Sequence, residues 1–268
     1  MGKYLEKSKQ YKGFHYSVLT ENMINYLHNT GLKMLKEVQR IFDEIGVSYF
    51  AVGGTLLGAY KSHSFIPWDD DVDLCVFEED YDRAIKELMK QLPSWILVQC
   101  KETEKKYFHG WVKIRDKNSK VFPDKDGYEC SGVWIDIYKV RNVKFKEKEY
   151  VICKEHKDYL NRRYLSNGIT KSEMRQRIRK SHLNSKLLLY KIKSILSINK
   201  RKVYMIWSAS KVVIEKEWVF PLKKIKFEDT YVWSLNLPEK YLIHHYGKDY
   251  LNDPLDEQRR VGINKIVF

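Results

Sequence analysis

Asp71 and Asp73 alternate with apolar residues in a segment whose composition predicts a strand over 72–77. Side chains at i and i+2 of a strand point to the same face, so the two carboxylates would converge while Val72 and Leu74 pack beneath the sheet. Carboxylates held that close repel one another and invite a cation. Their hard oxygens suit Mg²⁺, with Mn²⁺ as an alternative. The pair therefore predicts a magnesium site.

Asp136 is the expected third ligand of that metal. It lies in Gly132-Val-Trp-Ile-Asp-Ile-Tyr138, which otherwise has the apolar and aromatic pattern of a strand. An acid inside such a run is costly to bury unless its charge is compensated. A metal on a neighbouring strand would compensate it, and an ion pair with Lys or Arg is the alternative.

Two glycines, Gly53 and Gly54, end a predicted strand over 47–52 and precede Thr55. Because glycine has no Cβ, backbone N–H groups there can approach a phosphate closely, and the Thr55 hydroxyl can add a contact. The stretch is not a Walker A loop, because the next glycine, at position 58, is not followed by Lys and then Ser or Thr.

Two basic residues, Lys113 and Arg115, have the i, i+2 spacing that places side chains on one face of a strand. They could clamp phosphate oxygens. A surface salt-bridge pair on an edge strand is the equally weighted alternative.

The elements that must position these residues follow an α/β (α+β) pattern, with helices and strands mixed over the first 140 residues. Apolar spacing predicts a helix over 21–46, which Gly31 could divide into two. The other elements predicted in this part are a helix over 80–91 and strands over 47–52, 72–77, 95–100, 110–114 and 132–140.

Beyond residue 144 the chain becomes basic, and its patterns predict helices over 147–163, 171–198 and 202–217. A segment rich in Tyr, Trp, Pro and Gly follows over 227–255. We therefore expect three parts, namely a catalytic core over 21–145, a basic helical region over 146–226, and a C-terminal segment over 227–268 that packs back on the core.

The composition indicates a folded cytoplasmic protein. Hydrophobic residues make up 43% of the 268 residues, which is ample for a packed core. The first twenty residues contain no apolar signal region, and no apolar run approaches the roughly 20 residues that span a bilayer. The four cysteines form no C-x-x-C pair, so neither a zinc site nor a disulfide framework is expected.

The net charge of +14 is concentrated in one part of the chain. Between Lys171 and Lys202 lie eleven Lys or Arg and one acid, Glu173. This run predicts either a solvated basic helix face or a surface for an anionic partner. Apolar residues interleaved with the lysines over 185–196 add the hypothesis of docking on an anionic inner leaflet.

The combination of a Gly-Gly turn, Asp-x-Asp and a later acid resembles the nucleotidyltransferase superfold. The longer motif is similar to the LicD family of phosphocholine and related phosphotransferases. It consists of Gly-Gly-Thr-Leu-Leu-Gly-Ala followed by Phe-Ile-Pro-Trp-Asp-Asp-Asp-Val-Asp. The segments at 111–116, 132–137 and 241–250 agree with that family as well. The stretch between Gly54 and Asp71 is longer than is usual in the superfold, so Asp69 and Asp70 are expected to support the ligands or shape the turn.

This resemblance implies transfer of a phospho-group from a CDP-activated donor to a hydroxyl of a cell-surface glycan precursor, which we expect to be lipid-linked. Mg²⁺ on Asp71, Asp73 and Asp136 would neutralise the diphosphate, and Asp136 could also receive the acceptor proton. The resemblance implies that the cargo is phosphocholine, ribitol phosphate or glycerol phosphate. It further implies that the product is a capsule, a teichoic acid or a lipopolysaccharide of the cell wall.

If the cargo is choline, aromatic rings should surround its quaternary ammonium group. The candidates for such a cage are Trp68, Trp111, Trp134 and Tyr138.

Two other functions compete with this one. The first is a nucleotidyltransferase that moves NMP onto a small molecule, RNA or protein. The second is a nucleic-acid-binding protein that uses its basic face. Nucleic acid is not an expected partner, because the sequence carries no recognised binding signature and no stacking aromatics among the basic residues of 171–186.

Overall fold

The computed structural model describes residues 14–123, 127–196, 202–207 and 212–268. Eight α-helices lie within these ranges: α1 Glu21–Glu44, α2 Gly53–Ser62, α3 Glu78–Gln91, α4 Lys148–Ser166, α5 Lys171–Lys180, α6 Leu183–Leu196, α7 Lys216–Val219 and α8 Pro238–Tyr246. The described strands are β1 Phe14–His15, β2 Tyr49–Ala51, β3 Val72–Phe77, β4 Ile96–Gln99, β5 Val112–Asp116, β6 Lys120–Phe122, β7 Trp134–Lys144, β8 Lys202–Trp207, β9 Val213–Glu215, β10 Lys223–Phe227, β11 Thr230–Ser234, β12 Arg260–Val261 and β13 Lys265–Val267.

The main sheet is mixed, which confirms the predicted α/β class. Its strand order is β2-β3-β7-β5-β4, and β8 pairs with β7 while β9 pairs with β8. The β3–β7 pair is parallel, and the other pairs are antiparallel. The first part of β7 lies between β3 and β5, so it is the centre of the sheet.

Helix α1 covers one face of this sheet. Its buried residues recur at helical spacing and include Met34, Val38 and Phe42. The helix is continuous across Gly31, so the division considered at that residue is not found. A Cβ on Gly31 would lie 3.5 Å from Val72 Cγ2, which shows how closely the helix passes over β3.

Two predictions about the basic part of the chain are wrong. The helix predicted over 171–198 is two helices, α5 and α6, with His182 between them at a φ of +56°, and residues 197 and 198 lie outside the described residues. In the described parts of the helix predicted over 202–217, the chain instead forms β8, β9 and the start of the short α7, and residues 208–211 lie outside the described residues. Valine, isoleucine and aromatic residues in 202–207 favour a strand, and β7 continues past residue 138 to offer an edge for pairing.

The segment from residue 223 onward contacts several parts of the chain. Strands β10 and β11 form a hairpin beside α2 and β2, β13 pairs with β6, and β12 pairs with β1. The three-part division of the chain stays a prediction, although β8 and β9 of the expected helical region hydrogen-bond into the main sheet. None of the described helices is long and apolar enough to cross a membrane.

Candidate active site

Three aspartates come together where β3 and β7 run side by side. In the parallel register of these strands, Asp73 is the direct neighbour of Asp136, and Asp71 immediately precedes β3. One carboxylate oxygen from each of the three lies within 4.8 Å of the other two. Val72 and Leu74 are fully buried, as expected for residues that alternate with the acids.

This convergence has a large electrostatic effect on the acids. Burial, followed by repulsion from Asp136, raises the pKa of Asp73 to about 7. Burial, followed by repulsion from Asp73, raises the pKa of Asp71 well above its ordinary value. Carboxylates in this state bind either a proton or a cation near neutral pH.

Lys113 supplies one positive charge to the cluster. Its Nζ donates to both oxygens of Asp136, at 2.7 and 3.0 Å, and both side chains are buried. The predicted alternative for Lys113, a surface salt bridge on an edge strand, is wrong, because β5 lies between β7 and β4. The ion pair considered as an alternative for Asp136 is present within the acid cluster itself.

The donor set fits a divalent cation. Asp71, Asp73 and Asp136 with Lys113 carry a formal charge of −2 when all four are ionised. A carboxylate can accept at several lone pairs, so the hydrogen bonds already present leave room for a metal ligand on each acid. Hard carboxylate oxygens and a residual negative charge suit Mg²⁺.

Two aromatic side chains hold the carboxylates in place. Trp134 Nε1 donates to Asp71 Oδ2 at 2.8 Å. The Tyr138 hydroxyl lies 3.0 Å from Asp73 Oδ1 and 3.2 Å from Asp136 Oδ2, and its single proton serves one of them at a time. Burial, followed by the charge of Asp136, raises the pKa of Tyr138, so the hydroxyl remains a donor.

The four residues proposed as a choline cage are not gathered into one cage. Lys113 Nζ lies 5.1 Å from the centre of the Trp134 ring and 5.9 Å from that of Trp111, and Trp111 is 5.5 Å from Tyr138. The Trp68 ring instead contacts Tyr16 and the Arg259 guanidinium. The Trp111 and Trp134 rings therefore already lie beside an internal ammonium.

Arg115 contacts the protein itself. Its guanidinium donates to Gln99 Oε1 at 3.1 Å and to the Gly132 carbonyl at 2.8 Å, and it lies 5.1 Å from the centre of the Trp134 ring. These contacts support the ring that holds Asp71. They give Arg115 a positioning role in place of the predicted phosphate clamp.

Steric contact with the acids explains why two glycines occupy the start of α2. Gly53 opens α2 with a φ of +57°, and a Cβ there would overlap the Asp73 carboxylate. A Cβ on Gly54 would overlap the carboxylate of Asp69. The backbone of the pair can therefore lie against the acids only because both residues lack side chains.

Thr55 is turned away from the site surface. It is 1% exposed, and its Oγ1 accepts from the Asp73 backbone N–H at 2.9 Å. The predicted phosphate contact is therefore replaced by a structural one, which ties the start of α2 to β3.

Asp69 and Asp70 flank the cluster and carry different contacts. Asp70 Oδ2 accepts from the Gly262 N–H at 2.6 Å, which fastens the loop before β3 to the C-terminal segment. Asp69 Oδ2 is buried and has no hydrogen-bond partner within the described part of the chain. Oxygens of Asp69, Asp70 and Asp71 also lie within 4.8 Å of one another, so a cation could relieve Asp69 as well.

Sequence reasoning missed Tyr241 as a contributor to the site. Its hydroxyl accepts from the Gly53 N–H at 3.1 Å, and the side chain is buried under α2. The only signal in the sequence was its place in the segment 241–250, which agrees with the family pattern without indicating a contact to Gly53.

The chain is similar to known proteins over the stretch that contains this site. Residues 46–167 match the family model described as "LicD/FKTN/FKRP, nucleotidyltransferase domain". The chain is 27% identical over 128 residues to the lipopolysaccharide cholinephosphotransferase LicD of Haemophilus influenzae, an alignment that covers 47% of this chain and 48% of that protein.

Two human proteins are also similar. The chain is 43% identical over 53 residues to the ribitol 5-phosphate transferase FKRP, which covers 18% of this chain and 11% of that protein. It is 24% identical over 120 residues to the ribitol-5-phosphate transferase FKTN, which covers 44% of this chain and 24% of that protein. The aligned part thus spans about half of the bacterial relative and a smaller share of the human ones.

The matched stretch contains the glycine pair, all three clustered aspartates and Lys113. Residues 46–167 of the chain therefore match the LicD family domain, and this match covers the whole of the acid cluster.

Proposed function

We propose that the chain is a Mg²⁺-dependent phosphotransferase that moves phosphocholine, ribitol phosphate or glycerol phosphate from a CDP-activated donor to a hydroxyl of a cell-surface glycan precursor. The observation that carries this proposal is the cluster of half-buried Asp71 and Asp73 with buried Asp136 inside the family domain. The names of the relatives, a cholinephosphotransferase and two ribitol 5-phosphate transferases, support the reaction class.

Asp71, Asp73 and Asp136 would hold the metal. Mg²⁺ held there would supply positive charge to neutralise the donor diphosphate and the departing CMP. Trp134 and Tyr138 keep Asp71 and Asp73 in position through the hydrogen bonds described above.

The start of α2 is suited to the phosphates of the donor. Backbone N–H groups at a helix N-terminus attract anions, and the lack of side chains at Gly53 and Gly54 permits close approach. The Gly53 N–H already donates to Tyr241, so this tyrosine fixes the direction of the first turn. The diphosphate would then lie beside both the helix terminus and the acid cluster.

In the reaction, the acceptor hydroxyl oxygen forms a bond to the phosphorus of the transferred group. The bond from that phosphorus to the CMP oxygen breaks, and CMP leaves with the electron pair. We assign the acceptor proton to Asp136, whose oxygens accept from Lys113 and Tyr138 before the reaction. The incoming proton would displace one of these hydrogen bonds.

The contacts of Lys113 bear on the identity of the cargo. Its ammonium lies near the rings of Trp111 and Trp134. A quaternary ammonium group placed beside the same rings would meet a like charge, whereas a ribitol or glycerol chain would not. This arrangement favours an alditol phosphate over phosphocholine at these rings.

The test is Mg²⁺-dependent release of CMP from CDP-choline, CDP-ribitol and CDP-glycerol in the presence of an acceptor glycan extract. We expect release from one donor, and a loss of about 1000-fold or more in Asp73→Asn on the scale of removing one strong transition-state stabiliser. Asp82→Asn is the matched control, because Asp82 is an acid with a 93% exposed side chain outside the cluster.

Failure of the wild-type chain to release CMP from any donor would contradict the proposal. Incorporation of NMP into a product, in place of CMP release, would support the nucleotidyltransferase alternative.

A further inference from the structure

Helix α6 has two apolar faces. One face is packed, since Leu183, Leu187 and Tyr190 contact the cluster formed with Cys153 of α4 and Ile178 of α5. The other face is exposed to solvent. It consists of Leu188, Leu189, Ile192, Ile195 and Leu196, whose exposed fractions range from 46% to 76%.

The exposed apolar residues form one continuous stripe. They follow the spacing i, i+1, i+4, i+7 and i+8. At about 100° per residue, this spacing covers an arc of roughly 120° directly opposite the packed face. A contiguous apolar stripe on a folded surface marks an interaction site, whereas isolated exposed apolar residues need no explanation.

Lysines border this stripe on both sides. Lys191 lies along one edge, and Lys186 and Lys193 lie along the other, while the helix contains no acidic residue. The neighbouring α5 adds five more basic residues and a single acid, Glu173. A positively charged rim around an apolar stripe is complementary to anionic headgroups above an acyl layer.

We propose that α6 docks in the surface plane of an anionic lipid bilayer. The five apolar side chains would enter the boundary between headgroups and acyl chains, and the three lysines would extend their stems to reach lipid phosphates. Insertion across the bilayer is not proposed, because 14 helical residues extend about 21 Å against a hydrocarbon core of about 30 Å.

A second copy of the chain is a less suitable occupant of this surface. Packing two α6 stripes against each other would place the lysine borders of both copies together, and no acid on the helix could pair with them. The lipid proposal does not depend on the proposed enzymatic activity, so it can be tested without a donor or an acceptor.

The experiment is co-flotation of the full chain with vesicles of equimolar phosphatidylcholine and phosphatidylglycerol, compared with vesicles of phosphatidylcholine alone. We expect binding to the anionic vesicles that weakens as salt is added. Ile192→Ser combined with Leu196→Ser should lower binding by about tenfold or more, since two large side chains no longer enter the boundary. The control Leu251→Ser with Leu255→Ser removes exposed leucines elsewhere and should leave binding unchanged.

A second variant tests the charged borders without touching the apolar stripe. Replacing Lys186, Lys191 and Lys193 with Gln should lower binding to anionic vesicles by about fivefold for each lysine. A thermal melt confirms that each variant is folded.

The proposal is overturned if the wild-type chain does not float with anionic vesicles, or if both α6 variants float as well as it does. A dimer that the Ile192→Ser, Leu196→Ser variant dissociates, without vesicle binding by the wild type, would assign the stripe to self-association.

Discussion

At the scale of single residues, Asp73 is surrounded by four residues from two elements, α2 and β7. Its backbone N–H donates to Thr55, one of its oxygens accepts from Tyr138, Gly53 leaves room for its carboxylate, and Asp136 lies beside it on β7. Burial among like charges raises the pKa of Asp73 to about 7, compared with an ordinary value of 3.8. The ionised carboxylate of Asp73 therefore destabilises the folded protein, and a bound cation would remove this destabilisation.

This raised pKa predicts how stability depends on pH in the metal-free protein. The folded state binds more protons than the unfolded state between about pH 4 and pH 7, so the contribution of Asp73 is fully present below pH 4 and is lost as the pH rises through 7. In EDTA, the melting temperature should fall across this window, and Mg²⁺ should raise it more at pH 8 than at pH 5. Melting curves measured over this pH range, with and without Mg²⁺, check the prediction.

Asp73→Asn is the control for that measurement, because the amide does not titrate. The variant should show a shallower fall between pH 4 and pH 7 and a smaller response to Mg²⁺. The same pH slope and the same Mg²⁺ response in the variant and the wild type would contradict the assignment to Asp73.

The residue types at the site were predictable to different degrees. The spacing of Asp71 and Asp73 and the isolated Asp136 predicted a cluster that the structure brings together. The burial of Lys113 was not predictable, because it depends on β5 lying between β7 and β4, and strand order is not encoded in local spacing. The contact from Tyr241 to Gly53 spans 188 positions, which no local pattern could indicate.

At the scale of elements, the turn from β2 into α2 determines how close the backbone comes to the acids. Gly53 has a φ of +57°, in the left-handed region, and a Cβ there would overlap the Asp73 carboxylate. Gly46 has a similar φ of +64°, but a Cβ there would meet nothing within 4 Å. A substitution at Gly46 therefore introduces backbone strain alone, whereas one at Gly53 introduces backbone strain and a steric overlap with Asp73.

Alanine at these two positions should have distinguishable effects. Both Gly53→Ala and Gly46→Ala should lower the free energy of unfolding by about 1–2 kcal/mol, the cost of a left-handed conformation with a Cβ. Only Gly53→Ala should also weaken metal binding, since Asp73 must move aside. Chemical denaturation and titration with Mg²⁺ measure the two effects. Equal metal affinity in both variants would contradict a role for Gly53 in admitting the carboxylate.

The type of an element was predicted correctly where its apolar residues had a clear periodicity. It was predicted wrongly where basic residues interrupted the apolar pattern. The helix from residue 21 and the strand over 72–77 follow clear apolar patterns. The basic residues at 200–202 continued the composition of the preceding helices, so 202–217 was expected to be helical. A strand at 202–207 could be predicted only from the tertiary structure, in which β7 extends to Lys144 and pairs with β8.

At the scale of the whole molecule, opposite charges are concentrated in different places. The buried site contains a cluster of acids, whereas α5 and α6 present basic residues to solvent on a chain with a net charge of +14. In the two proposals made above, the acid cluster recruits a cation while the basic helices attract an anionic surface. Composition predicted the second property, but only the structure shows that the apolar residues of α6 face outward between lysines.

The measurement that tests the central claim most directly is Mn²⁺ binding followed by electron paramagnetic resonance, with Mg²⁺ as competitor. The wild-type chain should bind Mn²⁺ and release it to Mg²⁺, and Asp82→Asn should behave in the same way. Asp73→Asn and Asp136→Asn should each weaken binding by about 100-fold or more, beyond the range for residues that only orient a ligand. Unchanged Mn²⁺ affinity in these two variants would contradict the assignment of the acid cluster as the metal site.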